Sequence, residues 1–139
     1  DGTIRDLGTM NGVSSDALDI NIVDEIVGSA GGHAFLYTNA GFKDLGTLGG
    51  ASSSAAGIND AGEVVGTSTL AGPDPQAQHA FWYVDEAMHD LNDLAAPLSA
   101  WLSEARKINN RGQIIANACP SPGTSGGCRA YLLTPVSLP

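Results

Sequence analysis

His33 and His79 each open a His-Ala-Phe block, and Arg129 stands at the third equivalent position. Imidazoles at repeated positions make a metal site when they converge, but an arginine in the set brings a fixed positive charge that opposes a cation. Repeated structural hydrogen bonding fits all three residues better. Asp6, Asp44 and Asp90 also recur, each before a leucine and beside a glycine-rich or Asn-Asp turn. A carboxylate placed there accepts backbone N–H bonds and holds the turn. The other chemistry open to them is a calcium or sugar site in each repeat, with Asn21, Asn59 and Asn109 supplying oxygens. Asp60, Gly62 and Glu63 resemble a fragment of a calcium loop, yet no run of alternating oxygen ligands accompanies them. The expectation is that no cofactor is required, with calcium the one candidate.

Catalytic patterns are scarce. The chain has no nucleophile elbow, no zinc-ligand spacing and no phosphate-cradling loop: Gly-Thr-Leu-Gly-Gly at 46–50 precedes neither a lysine nor a helix. A glycosidase pair depends on carboxylate separation, which is a three-dimensional quantity. No enzyme is expected. Sugar stacking would need exposed aromatics; Trp82 falls inside a strand pattern and reads as core, whereas Trp101 lies in an insertion. Trp101, for sugar stacking, and Asp60 and Glu63, from the calcium-like turn, are the candidate ligand-binding residues.

These residues sit in a chain of 139 residues with 18 glycines, 15 acidic and 6 basic residues, and a net charge of −9. Glycine at about twice its usual share, without collagen period, signals many tight turns and many short strands. Such acidity lacks the basic footprint that nucleic acid or an anionic membrane requires. No apolar run is long enough to span a bilayer as a helix. The chain starts at Asp1 with no leader visible, which implies a removed leader or a piece of something longer. Cys119 and Cys128, with eight residues between them in a Pro, Ser, Gly and Thr stretch, are expected to pair. Closing that loop is worth roughly 2–3 kcal/mol in the chain-entropy model, and a disulfide implies an extracellular setting.

Internal repetition is the strongest signal. Arg5–Met10 (RDLGTM) recurs at Lys43–Leu48 (KDLGTL) and, weakened, at His89–Leu94 (HDLNDL). Ala17–Ser29 (ALDINIVDEIVGS) recurs at Ala55–Thr67 and Ala105–Asn117, and His33–Tyr37 (HAFLY) at His79–Tyr83 and Arg129–Leu133. Three ordered blocks, three times over, define three repeats: 1–38, 39–84, and 85–139 with a capping insertion and C-terminal tail, together one domain.

Each repeat reads as four strands. The first ends in Asp-Leu (Thr3–Leu7, Gly41–Leu45, Ala87–Leu91), the second carries Ile-Asn, the third is the EIVGS-type run and the fourth the His-Ala-Phe block. Asn59–Gly62 and Asn109–Gly112 suit hairpin turns, while the first repeat has Asp24 where glycine is expected. Gly46–Ser54 is expected to be loop, and Leu98, Trp101 and Leu102 fall at the spacing of a short helix. In His79–Tyr83, Ala80 and Trp82 face one way and Phe81 and Tyr83 the other. Both faces are therefore apolar and both must be covered. The expected fold is all-β, with three four-stranded units stacked as β-propeller-like blades; the alternative is a β-trefoil. Small residues at Gly28, Gly66 and Ala116, and at Ala34, Ala80 and Ala130, would allow sheets to approach closely.

The blocks DLGTLGG, AxGINDxGxVVGxS and HAF(L/W)(W/Y) resemble the probable extracellular HAF repeat of bacteria. The resemblance covers nearly the whole chain and is densest over Asp44–Tyr83; the third repeat resembles the variant that closes such arrays. It implies secretion, a repetitive all-β, propeller-like fold and no established catalysis. Ile22-Val23-Asp24 departs from the turn motif.

Thr3–Leu7 lacks a preceding His-Ala-Phe strand, and Arg129–Leu133 lacks a following Asp-Leu strand. Three blades are too few for a closed propeller. Thr3, Ile4, Arg5, Asp6 and Leu7 are thus expected to pair with Arg129, Ala130, Tyr131, Leu132 and Leu133 of another copy, giving a ring or a filament. The expected role is a structural, self-associating module, with a lectin-like carbohydrate-binding module as the alternative.

Overall fold

The computed structural model describes residues 2–74, 77–95, 101–120 and 125–136. Eleven strands are defined among them, in three separate antiparallel sheets, and no sheet closes on itself as a barrel. The first sheet holds β1 (Ser15–Ile20), β2 (Ile26–Ala30), β3 (His33–Thr38) and β4 (Gly41–Gly46) in sequence order. The second holds β5 (Gly49–Ile58), β6 (Val64–Leu70), β7 (Gln78–Val84) and β8 (Ala87–Asp90). One helical turn, α1 (Leu91–Leu94), leads to the third sheet of β9 (Leu102–Ile108), β10 (Ile114–Ala118) and β11 (Arg129–Leu133). Each complete sheet therefore takes its first three strands from one repeat and its fourth from the next.

Alternation along β3 and β7 explains how the sheets stack. Ala34 and Leu36 face a core shared with Phe81 and Tyr83 of the second sheet. Ala80 and Trp82, on the opposite face of β7, pack with Leu102, Ala105, Ile108 and Ile114 of the third. Successive side chains on a strand point to opposite faces, so one apolar strand serves two cores. The turns match the strand twist: Gly31-Gly32 joins β2 to β3, and Asp85-Glu86 joins β7 to β8, all four with positive φ.

Several expectations change. Thr3–Leu7 is not a strand, because among the described residues no neighbouring strand stands beside it; apart from a single Met10–Val13 bridge, strand pairing begins at Ser15. Gly46–Ser54 is not all loop, since β5 starts at Gly49. Its small residues are needed there: a Cβ on Gly50 would collide with Thr69, and the Ser53 hydroxyl bridges Ala34 N and Gly46 O. The helix expected around Leu98, Trp101 and Leu102 is replaced by α1 upstream, and Leu102 opens β9; Leu98 lies outside the described residues. Gly28 and Gly66 do not serve sheet-to-sheet approach. A Cβ there would strike the carbonyls of Asp16 and Ser54 on the adjacent strand of the same sheet. Beside them each first strand shifts register, between Ala17 and Asp19 and between Ala55 and Gly57.

Candidate functional site

Two inter-strand clamps sit at equivalent places. His33 Nδ1 meets Asp44 at 2.9 Å across β3 and β4, and His79 Nδ1 meets Asp90 at 2.5 Å across β7 and β8. The same aspartates hold the chain reversal that follows: Asp44 Oδ1 accepts from Gly46 N, and Asp90 Oδ1 from Asn92 N, both at 2.8 Å. Asp6 Oδ1 accepts from Gly8 N at the same 2.8 Å, but it meets no histidine among the described residues. At the third clamp position Arg129 makes no ion pair among the described residues. The recurring histidines and aspartates bind one another rather than gather, and no group of three or more metal-ligating side chains forms among the described residues.

The asparagines form a ladder through the stack. Asn21 Nδ2 donates to Asn59 O, and Asn59 Nδ2 to Asn109 O, each at 3.1 Å. Their carboxamide oxygens accept two N–H bonds within their own turn, to residues 23 and 25 and to residues 61 and 63. All three turns are built this way, including the first, where Asp24 takes φ +62° in the place of Gly62 and Gly112. Asp60 and Glu63 belong to the ladder: Asp60 accepts from Ile22 N and Asn110 Nδ2, and Glu63 from Asn59 Nδ2. Their oxygens are engaged in structure. Trp101 is 60% exposed and stacks on His79 at 5.1 Å, a single ring with no counterpart in the other repeats.

Residues 3–8 lie against the first sheet as β4 lies against the second. Arg5 sits 5.8 Å from the Tyr37 ring, as Lys43 sits 5.8 Å from the Tyr83 ring. Arg5 Nη2 also donates to Tyr37 Oη. Leu7 packs on the Phe35 and Tyr37 cluster; its equivalents Leu45 and Leu91 are buried against the second and third sheets. Gly8 and Gly46 share the left-handed conformation, with φ +83° and +77°. Thr3–Leu7 thus lies against the first sheet as β4 lies against the second, and pairs with no described strand. Conversely, β11 pairs with β10 on one side and with no described strand on the other.

The outer faces match this arrangement. Ile20 is 57% exposed, whereas Ile58 and Ile108 at its repeat positions are 5% and 7% exposed beneath a preceding sheet. On the far side of the stack Ile115 is 49% exposed, whereas Val27 and Val65 at its positions are fully buried beneath a following sheet. Leu132, facing the same way from β11, is exposed too. Ile20 and Ile115 were missed from the sequence, although their buried repeat counterparts supply the signal. Cys119 and Cys128 form a disulfide joining the end of β10 to the start of β11. A shallow depression of about 210 Å³ beside it, lined by Pro120, Arg129 and Tyr131 among others, is below the usual size of a small-molecule site.

Compared with protein-family models, curated proteins and solved structures, the chain finds no match in any of the three.

Proposed function

We propose that this chain is a non-catalytic, extracellular β-repeat protein whose role is structural self-assembly. Copies associate head to tail by strand pairing between Thr3–Leu7 and Arg129–Leu133, closing as a ring or continuing as a filament. One observation carries the reading: β11 pairs with no described strand on its outer side, and residues 3–7 hold the posture of the strand that such an edge lacks. An open edge of backbone donors and acceptors is a template for another chain. The stacking of four-stranded sheets through both faces supports propeller-like blades over a trefoil. The disulfide supports an extracellular setting, and no helix among the described residues is long and apolar enough to cross a membrane. The motif resemblance to HAF repeats points the same way. Carbohydrate binding rests on Trp101 alone and is the weaker reading.

Light scattering on a sizing column tests this directly. The expected mass is a multiple of the 14.1 kDa chain, falling to one chain mass when residues 2–7 are deleted. A monomer at all accessible concentrations would overturn the proposal.

A further inference from the structure

We infer that the junction between copies has a fixed register and a dedicated ion pair, with Arg129 of one copy binding Asp6 of the next. The inference rests on the assembly reading above and specifies its chemistry.

The register follows from the two junctions that exist within the chain. In the first sheet Phe35 opposes Asp44, Leu36 opposes Lys43, Tyr37 opposes Phe42 and Thr38 opposes Gly41. In the second, Phe81 opposes Asp90, Trp82 opposes His89, Tyr83 opposes Met88 and Val84 opposes Ala87. The two sets are the same repeat positions. Carried to the third, the pattern sets Tyr131 opposite Asp6, Leu132 opposite Arg5, Leu133 opposite Ile4 and Thr134 opposite Thr3.

In both internal junctions the residue two before the aspartate's opposite partner reaches that aspartate: His33 reaches Asp44, and His79 reaches Asp90. The same position in β11 is Arg129, and the aspartate that completes the pattern is Asp6. Neither has an ion partner among the described residues, so the two unmatched charges are complementary. Arginine changes the bond as well as completing it. The internal clamps join strands of one chain, whereas a contact between separate molecules must form without a tether. A guanidinium stays charged at all physiological pH values and grips a carboxylate with two parallel donors. The same docking buries Ile115 and Leu132 of one copy against Ile20 of the next. It also brings Asn109 Nδ2 toward Asn21 O, continuing the ladder by one rung.

Charge exchange between copies tests the pair. Chains carrying Arg129→Asp and chains carrying Asp6→Arg are each expected to self-associate at least about tenfold more weakly, because each junction then meets like charges. Mixed in equal amounts they should reassemble, since every junction in an alternating array again has opposite charges. A second measurement does not depend on those variants. Ile4→Cys with Leu133→Cys should yield disulfide-linked multimers under mild oxidation, and Arg5→Cys with Leu133→Cys, one residue out of register, should not. If the wild-type chain assembles but mixing fails to restore association, the ion pair is wrong while the assembly reading stands. Cross-linking through the displaced pair would overturn the register in the same way. A monomeric wild-type chain would instead remove the assembly reading itself.

Discussion

Asp90 serves three donors with two oxygens, taking His79 Nδ1 on one and both the backbone N–H and side-chain amide of Asn92 on the other. It is also largely buried, 13% exposed against 49% for Asp44 at the first clamp. Burial raises the cost of leaving a donor without its partner. Asp90→Ala should therefore cost about 2 kcal/mol and Asp44→Ala less than about 1 kcal/mol, read from urea midpoints at equal m-value. Asn59 carries more. Its amide donates to Glu63 and to Asn109 O while its oxygen accepts two N–H groups. Asn59→Asp would set a carboxylate against the Glu63 carboxylate and a carbonyl, so a loss of about 3 kcal/mol is expected. Asn109→Asp, exposed and facing Gln113, should cost less than half of that in the same denaturation experiment. The recurrence of these residues was plain in the sequence, and so was the turn-holding role of the aspartates. The ladder was not, because a side chain reaching from one repeat to the backbone of the next is visible only once the turns are known to stack.

At the level of elements, the turn between β1 and β2 keeps the backbone of its two counterparts but has no glycine at its left-handed position. Asp24 takes a left-handed backbone at φ +62° where Gly62 and Gly112 take φ +80° and +72°. A side chain pays for that conformation and glycine does not. Asp24→Gly should raise stability by about 0.5 kcal/mol, seen as a shift of the thermal or urea midpoint, because no described hydrogen bond uses the Asp24 side chain. The strands at His33–Tyr37 and His79–Tyr83 were legible from the repeated blocks, and their two apolar faces from alternation; the structure extends them to His33–Thr38 and Gln78–Val84. The start of β5 was not: Gly49–Ser54 has the composition of a loop, yet it pairs with β6, and Thr69 stands too close to Gly50 for a side chain there. The N-terminal block failed in the opposite sense. Thr3–Leu7 has a strand's sequence, but a strand needs a neighbour to supply its hydrogen bonds.

The described residues form a stack of three sheets with exposed apolar side chains on both outer faces, Ile20 on the first and Ile115 and Leu132 on the third. Under the proposed assembly, association stabilises the folded state by mass action, so the melting temperature should rise with protein concentration. The chain lacking residues 2–7 should melt at one temperature across a hundredfold dilution series. The three-fold repetition and the all-β class were readable from glycine content and the ordered blocks, but the grouping of strands into sheets was not. That grouping is displaced by one strand from the repeat, and the displacement has an evolutionary side. With the repeats bounded at residues 38/39 and 84/85, each boundary falls inside a sheet, in the hairpin between its third and fourth strands. Recombination that adds or removes one repeat within such an array recreates the same hairpin and the same pair of faces at the splice. The array can change length without any contact having to be invented.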